Sequence, residues 1–429
     1  MLATYLNAFS RFSHDIRMYL ITSFMIGFSY IGIVAVLLNL YLLRLGYGPV
    51  FIGWVAASTA LAFALSSLPA GAMGSYWGNR RVVIAGVTIV GVSVGVIPLA
   101  EFLSTTWQAS FILGTRLLGG FGFALYAVNY MPYLVAVSAP ADRDYVFSIQ
   151  VALSGLAGFI GSLIAGMMPD AFASLLELNV DGPAPYRYPL YIGGLIIAPA
   201  VIALLTTSEG EQIPSAAEKV DKVQPDTQIG LFVIIGLLAL TALCRNGSES
   251  AARSFFNIYL DAELGVSTPR IGALTALSQV LAIPAALAAP ALVNRLGKSA
   301  TIVWGTAGIA VGLILMALIP HWITAGIGFL GVVGMRSMTR AVLNSYQMEI
   351  VALDWRSLTA GVVSTAMGLG YSIMAFGGGY LIVTMGYKGL FLTGAGLAVA
   401  GAVMFAGYFR VPRGEYARES VSGSLVSKL

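Results

Sequence analysis

Apolar runs long enough to cross a bilayer recur along the whole chain, and this recurrence narrows the possible folds more than any other feature. A helix needs about 20 apolar residues to cross roughly 30 Å of hydrocarbon. Twelve stretches qualify, near 17–44, 49–77, 81–103, 107–136, 145–170, 188–206, 229–260, 267–293, 300–320, 322–350, 357–384 and 387–410. Backbone polar groups cannot go unpaired in lipid, so each stretch is expected to be a helix. The sequence therefore predicts an all-α membrane protein with twelve transmembrane helices.

Charge agrees. The 429 residues include 23 Lys or Arg and 19 Asp or Glu, so 10% are charged. Soluble domains carry about 25%. A soluble enzyme, a disordered chain and a nucleic-acid binder are thereby excluded. Cys244 is the single cysteine, so no intramolecular disulfide can form. Met1 to Leu45 reads as a polar leader (Arg11, His14, Arg17) followed by a first span that stays attached.

Residues 207–228, TSEGEQIPSAAEKVDKVQPDTQ, carry five acids, two lysines and no aromatic residue. They read as a solvated linker. It separates residues 1–206 from residues 229–410, six spans each, and 411–429 form a tail. Twelve spans put both termini on one side. Fourteen Lys and Arg fall on that side: Arg11, Arg17, Arg80, Arg81, Arg143, Lys219, Lys222, Arg295, Lys298, Arg356, Arg410, Arg413, Arg418 and Lys428. The other side has four: Arg44, Arg187, Arg270 and Lys388. The positive-inside rule then predicts cytoplasmic termini in a plasma or inner membrane.

The two halves repeat. Asn39-Leu-Tyr-Leu42 leads to Leu45-Gly46 and Ile52-Gly53; Asn257-Ile-Tyr-Leu260 leads to Leu264-Gly265 and Ile271-Gly272. The Leu-Gly to Ile-Gly spacing is identical at a register shift of 219, which Gly78 and Gly297 keep. Asn129 and Asn344 are 215 apart. These matches indicate a duplicated six-helix unit.

This layout resembles the major facilitator superfamily, whose loop motif between spans 2 and 3 looks like G-x-x-x-D-R-x-G-R-[RK]. Here Gly71-Ala-Met-Gly74-Ser75-Tyr76-Trp77-Gly78-Asn79-Arg80-Arg81 keeps the glycines and the basic pair, with Ser75 in place of Asp. The second copy, Pro290 to Lys298, keeps Arg295, Gly297 and Lys298, with Asn294 in the acidic place. The resemblance implies two pseudo-symmetric six-helix bundles and a latch at these turns, weakened by the missing acid. Arg116-Leu-Leu-Gly-Gly120-Phe-Gly122 looks like the family's R-x-x-x-G-x-G pattern, tied to proton transfer. Ser154, Gly158, Ser162 and Gly166 in span 5, and Ser364, Gly368 and Ser372 in span 11, stand four apart. They read as packing faces or as a hinge-like seam; the family's antiporter Gly-Pro pair is absent.

Ionisable residues inside spans are costly and mark candidate sites. They are Arg116, Arg245, Glu249, Arg253, Arg336 and Arg340, with Glu349 near the end of span 10. Arg245, Glu249, Arg253 and Asn257 are spaced by four and share a helix face. Their repeat counterparts are Gly27, Ile31, Ala35 and Asn39. Arg336, Arg340 and Asn344 keep the same spacing. Such stripes are expected to face the bundle interior. Five arginines against one glutamate suit an anionic or acid-bearing substrate, because a guanidinium fork fits carboxylate or phosphate. The competing reading makes the arginines structural struts. Glu249 is either a proton carrier or one half of a permanent ion pair. Tyr126, Tyr130, Tyr133 and Trp54 either line the cavity or anchor and pack the spans. Asn39 and Asn257 join the substrate candidates.

Gly91-Val-Ser93-Val-Gly95 fits a nucleophile-elbow pattern but lies mid-span without a preceding strand, and reads as a packing face. Asn246-Gly-Ser248 is a sequon inside a span. No P-loop, H-E-x-x-H or Cys/His cluster occurs, so neither metal, cofactor nor catalysis is expected. The sequence predicts a secondary active transporter, proton-coupled and monomeric, whose partners are a small solute, protons and the lipid bilayer. Multidrug or lipid-like efflux is the alternative within that class. A membrane receptor or intramembrane enzyme is the alternative outside it.

Overall fold

The computed structural model describes residues 12–139, 142–209, 228–351 and 353–409. Most of the linker and the C-terminal tail lie outside them. The described residues are nearly all helical, without strands. In chain order the helices are α1 (His14–Arg44), α2 (Pro49–Trp77), α3 (Asn79–Phe102), α4 (Thr105–Val137), α5 (Arg143–Leu175) and α6 (Ala184–Leu205). There follow α7 (Gln228–Ile258, continued by the π turn Tyr259–Glu263), α8 (Thr268–Leu296), α9 (Lys298–Leu318), α10 (Trp322–Ile350) and α11 (Leu353–Phe409).

Ten helices among the described residues are long and apolar enough to cross a membrane. One of them, Leu358–Phe409, has 52 residues and breaks at Gly386, whose φ of 69° no helix allows. The 29-residue α10 is not among the ten; it carries Arg336, Arg340 and Glu349.

The repeat is visible in the backbone. Gly46 and Gly265, 219 apart, have φ of 89° and 60°; Gly78 and Gly297, also 219 apart, have 93° and 82°. These turns need positive φ, which only glycine adopts without strain. The Asn-x-Tyr-Leu segments are offset by 218 rather than 219. The second copy therefore holds one more residue before its Leu-Gly turn, and the π turn Tyr259–Glu263 absorbs it.

The chain forms two compact units. The first comprises the described residues of Met1–Pro214 with Phe255–Val280, the second those of Ser215–Ser254 with Leu281–Leu429. In the first, α3 packs on α4 and α6, α2 on α4, and the π-wound stretch Gly27–Val34 of α1 on α5. Close approach is achieved with small residues: a Cβ on Gly32 would lie 2.6 Å from Gly161 Cα, and one on Gly27 2.8 Å from the Ser154 carbonyl. Span 5's small-residue stripe is thus a packing face. So is the elbow-like triplet. Ser93 is buried and donates to the Thr115 carbonyl (2.8 Å), while Gly95 abuts Gly194 of α6. The second unit is built on α9 against α10 and α11, with Ile234, Leu238, Tyr346, Phe405 and Phe409 buried together.

Candidate substrate and coupling site

In the second unit, α7 and α10 bring their charged residues together. Glu249 is 2% exposed. Its carboxylate is ion-paired with Arg336 of α10 and lies 3.4 Å from the Nε of Arg253, one turn along α7. Arg336 Nη1 also donates to Asn246 Oδ1 (3.1 Å), and Asn246 Nδ2 donates to the Ala242 carbonyl (2.9 Å). The buried sequon asparagine is therefore part of the charge cluster. A carboxylate buried this deeply survives as an ion only when paired.

Arg245 differs. It is 7% exposed, and no hydrogen bond joins its guanidinium to any described residue. It lies within electrostatic reach of Arg336 and Arg340. Arg253 and Arg336 share the one glutamate, and Arg245 and Arg340 lie within electrostatic reach of Arg336. Nearby, Ser250 donates to the Tyr371 carbonyl (2.8 Å) and Ser254 to the Tyr371 hydroxyl (3.2 Å), fixing α7 on α11. Gly370 of α11 allows this, because a Cβ there would strike the Leu243 backbone.

In the first unit, Arg116 is 5% exposed and meets no carboxylate among the described residues. Its Nε donates to Thr59 Oγ1 (3.2 Å), its guanidinium lies 5.8 Å from the Tyr30 ring centroid, and its Nη1 is buried without an acceptor. Tyr126 and Tyr130 stack at 5.6 Å, Tyr19 stacks on Tyr130, and the Tyr19 and Tyr126 hydroxyls share a 3.2 Å hydrogen bond. Tyr133 is fully buried against Tyr19. Trp54 tilts against Phe51. Asn39 is partly buried, and Asn257 donates to the carbonyls of Ala35 (2.7 Å) and Val36 (3.1 Å). Asn129 donates to the Ala70 and Leu125 carbonyls, and its amide occupies the place a side chain on Gly74 would take. Gly71 faces Val128.

The basic turns find carboxylates that the sequence motif does not contain. At the first, Glu209 Oε1 accepts from the Arg80 backbone N–H (3.2 Å) and fills the space beside Gly78. Arg80 in turn donates to the Leu205 carbonyl (2.9 Å) and Thr207 Oγ1 (3.1 Å). An acid thus sits at the N-terminus of α3 and a base at the C-terminus of α6, matching both helix dipoles. At the second turn, Lys298 is ion-paired with Glu349 and donates to Ser345. Arg81 and Arg295 are exposed.

Sequence reasoning overlooked two charged residues. Arg44 and Asp261, both in the first unit, form a bidentate pair with two N–O distances of 2.7 Å. The signal was present: Asp261 continues the four-residue rhythm of Arg245, Glu249, Arg253 and Asn257.

Known proteins share this architecture. A nucleoside transporter of solved structure superposes with a TM-score of 0.74 at 14% identity, covering 92% of this chain and all of that one. A D-xylose-proton symporter gives 0.69 at 14% identity over 95% of this chain and 98% of that one. A bacterial homolog of the human lysosomal transporter Spinster gives 0.68 at 15% identity, covering 92% and 95%. An uncharacterized MFS-type transporter of Methanocaldococcus jannaschii is 21% identical over 399 residues, 89% of this chain and 95% of that protein. The model of the Major Facilitator Superfamily matches residues 19–236 and 238–427. This multi-pass membrane protein is a transporter of the Major Facilitator Superfamily, and it has that family's fold.

Proposed function

We propose that the protein is a secondary active transporter of small organic anions, coupled to protons. The observation that carries this reading is Arg245: a nine-tenths buried guanidinium that no described residue accepts from, beside two further arginines. An unpaired buried cation is costly, and a bound carboxylate or phosphate would remove that cost with a forked hydrogen bond. Glu249 supports proton coupling, because a buried acid shared by two arginines changes partners when it takes a proton. Among the relatives, the D-xylose-proton symporter joins a small polar solute to a proton by its very name.

The transport cycle is read as alternating access, with the bundles 1–206 and 229–410 rocking about the site and residues 207–228 joining them. Fourteen basic residues against four support cytoplasmic termini.

The test is a thermal-shift screen of the purified protein against anionic metabolites and lipophilic cations, repeated with Arg245→Met and Glu249→Gln. Anions should stabilise the parent and lose that effect in Arg245→Met. Stabilisation by cations alone would replace this reading with drug or lipid-like efflux. In vesicles, Glu249→Gln should abolish proton-driven accumulation while sparing exchange; unchanged uphill transport would end the proton assignment.

A further inference from the structure

In the second unit a single guanidinium nitrogen serves two acceptors. Arg336 Nη1 is ion-paired with Glu249 and also donates to Asn246 Oδ1 at 3.1 Å. Asn246 is buried, and its Nδ2 is committed to the Ala242 carbonyl at 2.9 Å. The amide is thereby fixed with its oxygen toward the cation. Asn246 and Glu249 stand three residues apart on α7, which sets them side by side on the helix. The fold does not demand them. At the repeat shifts of 218 for α7 and 215 for α10, Asn246, Glu249 and Arg336 correspond to Phe28, Ile31 and Phe121. The first half of the chain thus forms its helices with apolar residues at all three places. The other groups that face the pair are Arg253, which reaches Glu249, and Arg245, Arg340 and Tyr371, which lie within electrostatic reach of Arg336.

The two acceptors differ in one respect. A carboxylate that takes a proton loses its charge and presents a donor, whereas an amide oxygen stays an acceptor. Of the two arginines on Glu249, Arg253 has a side chain 40% exposed and can turn to solvent at little cost. Arg336 is 18% exposed, and the like charges of Arg245 and Arg340 push against it. It is the one that needs a second holder. We propose that Asn246 is a positioning residue of the coupling site, holding Arg336 in place when Glu249 is protonated so that this guanidinium can take the transported anion. The proposal rests on the anion and proton assignments above, and it gives their coupling a sign. With Glu249 ionised, the charge of Arg336 is compensated within the protein. With Glu249 protonated, that charge is added to the charge of Arg245. Anion binding therefore strengthens as pH falls, and proton and anion travel in the same direction.

The experiment follows thermal unfolding of the purified full-length protein between about pH 5 and pH 9, with and without sulfate, methanesulfonate or benzenesulfonate at constant ionic strength. These anions keep their charge throughout, so only the protein titrates. Stabilisation of the parent should grow as pH falls through a midpoint, and in Glu249→Gln it should no longer depend on pH. Asn246→Leu removes the holder of Arg336 and makes protonation of Glu249 harder. Its midpoint should move to lower pH by about one unit or more, the shift that one hydrogen bond to a charged group corresponds to. A midpoint equal to that of the parent overturns the role of Asn246 and leaves both assignments standing. Stabilisation of the parent that ignores pH overturns the proton assignment and this proposal, while the anion assignment survives. No stabilisation by any of the three anions overturns the anion assignment and this proposal together. A second measurement needs no ligand. Asn246→Leu/Glu249→Gln deprives Arg336 of both acceptors and should lower the unfolding midpoint by at least about 3 °C more than the two single losses added together; additive losses overturn the proposal. Should Asn246→Leu fail to fold, Asn246→Ala is read in the same two ways.

Discussion

Replacing Glu249 with Gln should destabilise the second unit, by an amount set by its surroundings. Glu249 is 2% exposed and is the only carboxylate paired with Arg336 among the described residues; the Arg336 side chain is 18% exposed. Removing one partner of a buried pair costs about 3–5 kcal/mol, because the other charge is left uncompensated. Arg336 keeps some solvent and its bond to Asn246, which favours the lower end, about 3 kcal/mol. The second contact, to Arg253 with a 40% exposed side chain, adds no more than about 0.5 kcal/mol. A body of 150–250 residues loses about 2–4 °C per kcal/mol, so the midpoint should fall by roughly 6–12 °C. Cys244 gives a local readout. It is the single cysteine, it is buried, and it adjoins Arg245, so a thiol-reactive dye reports unfolding of this unit. The double variant Glu249→Gln/Arg336→Met should recover at least half of the loss, since it removes the orphaned charge. A fall of less than about 2 °C, or a double variant no more stable than the single one, would refute the reasoning.

Two further outcomes concern the first unit and the turns. Gly78→Ala should cost about 2 kcal/mol and Gly297→Ala about 1 kcal/mol, because both need positive φ but only Gly78 has Glu209 in the place of its Cβ; equal losses in thermal unfolding would remove Glu209 from the argument. Arg116→Met should stay within about 1 kcal/mol of the parent, since no described carboxylate is orphaned and one buried donor without an acceptor is lost; a loss as large as that of Glu249→Gln would reveal a hidden acidic partner.

The repeat and the membrane-spanning class were legible because bilayer thickness and unpaired backbone constrain every span in the same way. The glycines at 46, 78, 265 and 297 could be matched by letter alone, and their shared positive φ explains why the letter persists. The loop motif could not reveal the acid that stands near it, because charge complementarity acts through space. Glu209, 131 residues beyond Gly78, supplies the carboxylate that a local pattern cannot reveal. The tyrosines on α4 were ambiguous for a related reason: a ring suits a cavity wall and a ring stack equally, and the ring they stack with, Tyr19, comes from α1.

The stripe on α7 shows how a single periodicity can carry two tasks. Residues 245, 249, 253 and 257 advance by four and read as one strip facing the bundle interior, a rhythm that Asp261 continues. In the structure the strip divides after Ser254. Arg245, Glu249 and Arg253 belong to the second unit, where their charges outnumber their partners. Asn257 and Asp261 belong to the first, where each is satisfied by α1: the amide by the Ala35 and Val36 carbonyls, the carboxylate by Arg44. A surplus of charge on one side of the division and full satisfaction on the other are different physical conditions. Under the proposed function, the first leaves Arg245 to be neutralised by a bound anion. The second holds a helix end in place until the contacts are broken. The π turn Tyr259–Glu263 lies inside the satisfied part, and its extra residue rotates the Leu264-Gly265 turn relative to the body of α7. Removing one residue there would turn Asp261 away from Arg44 while leaving Arg245 and Glu249 in register.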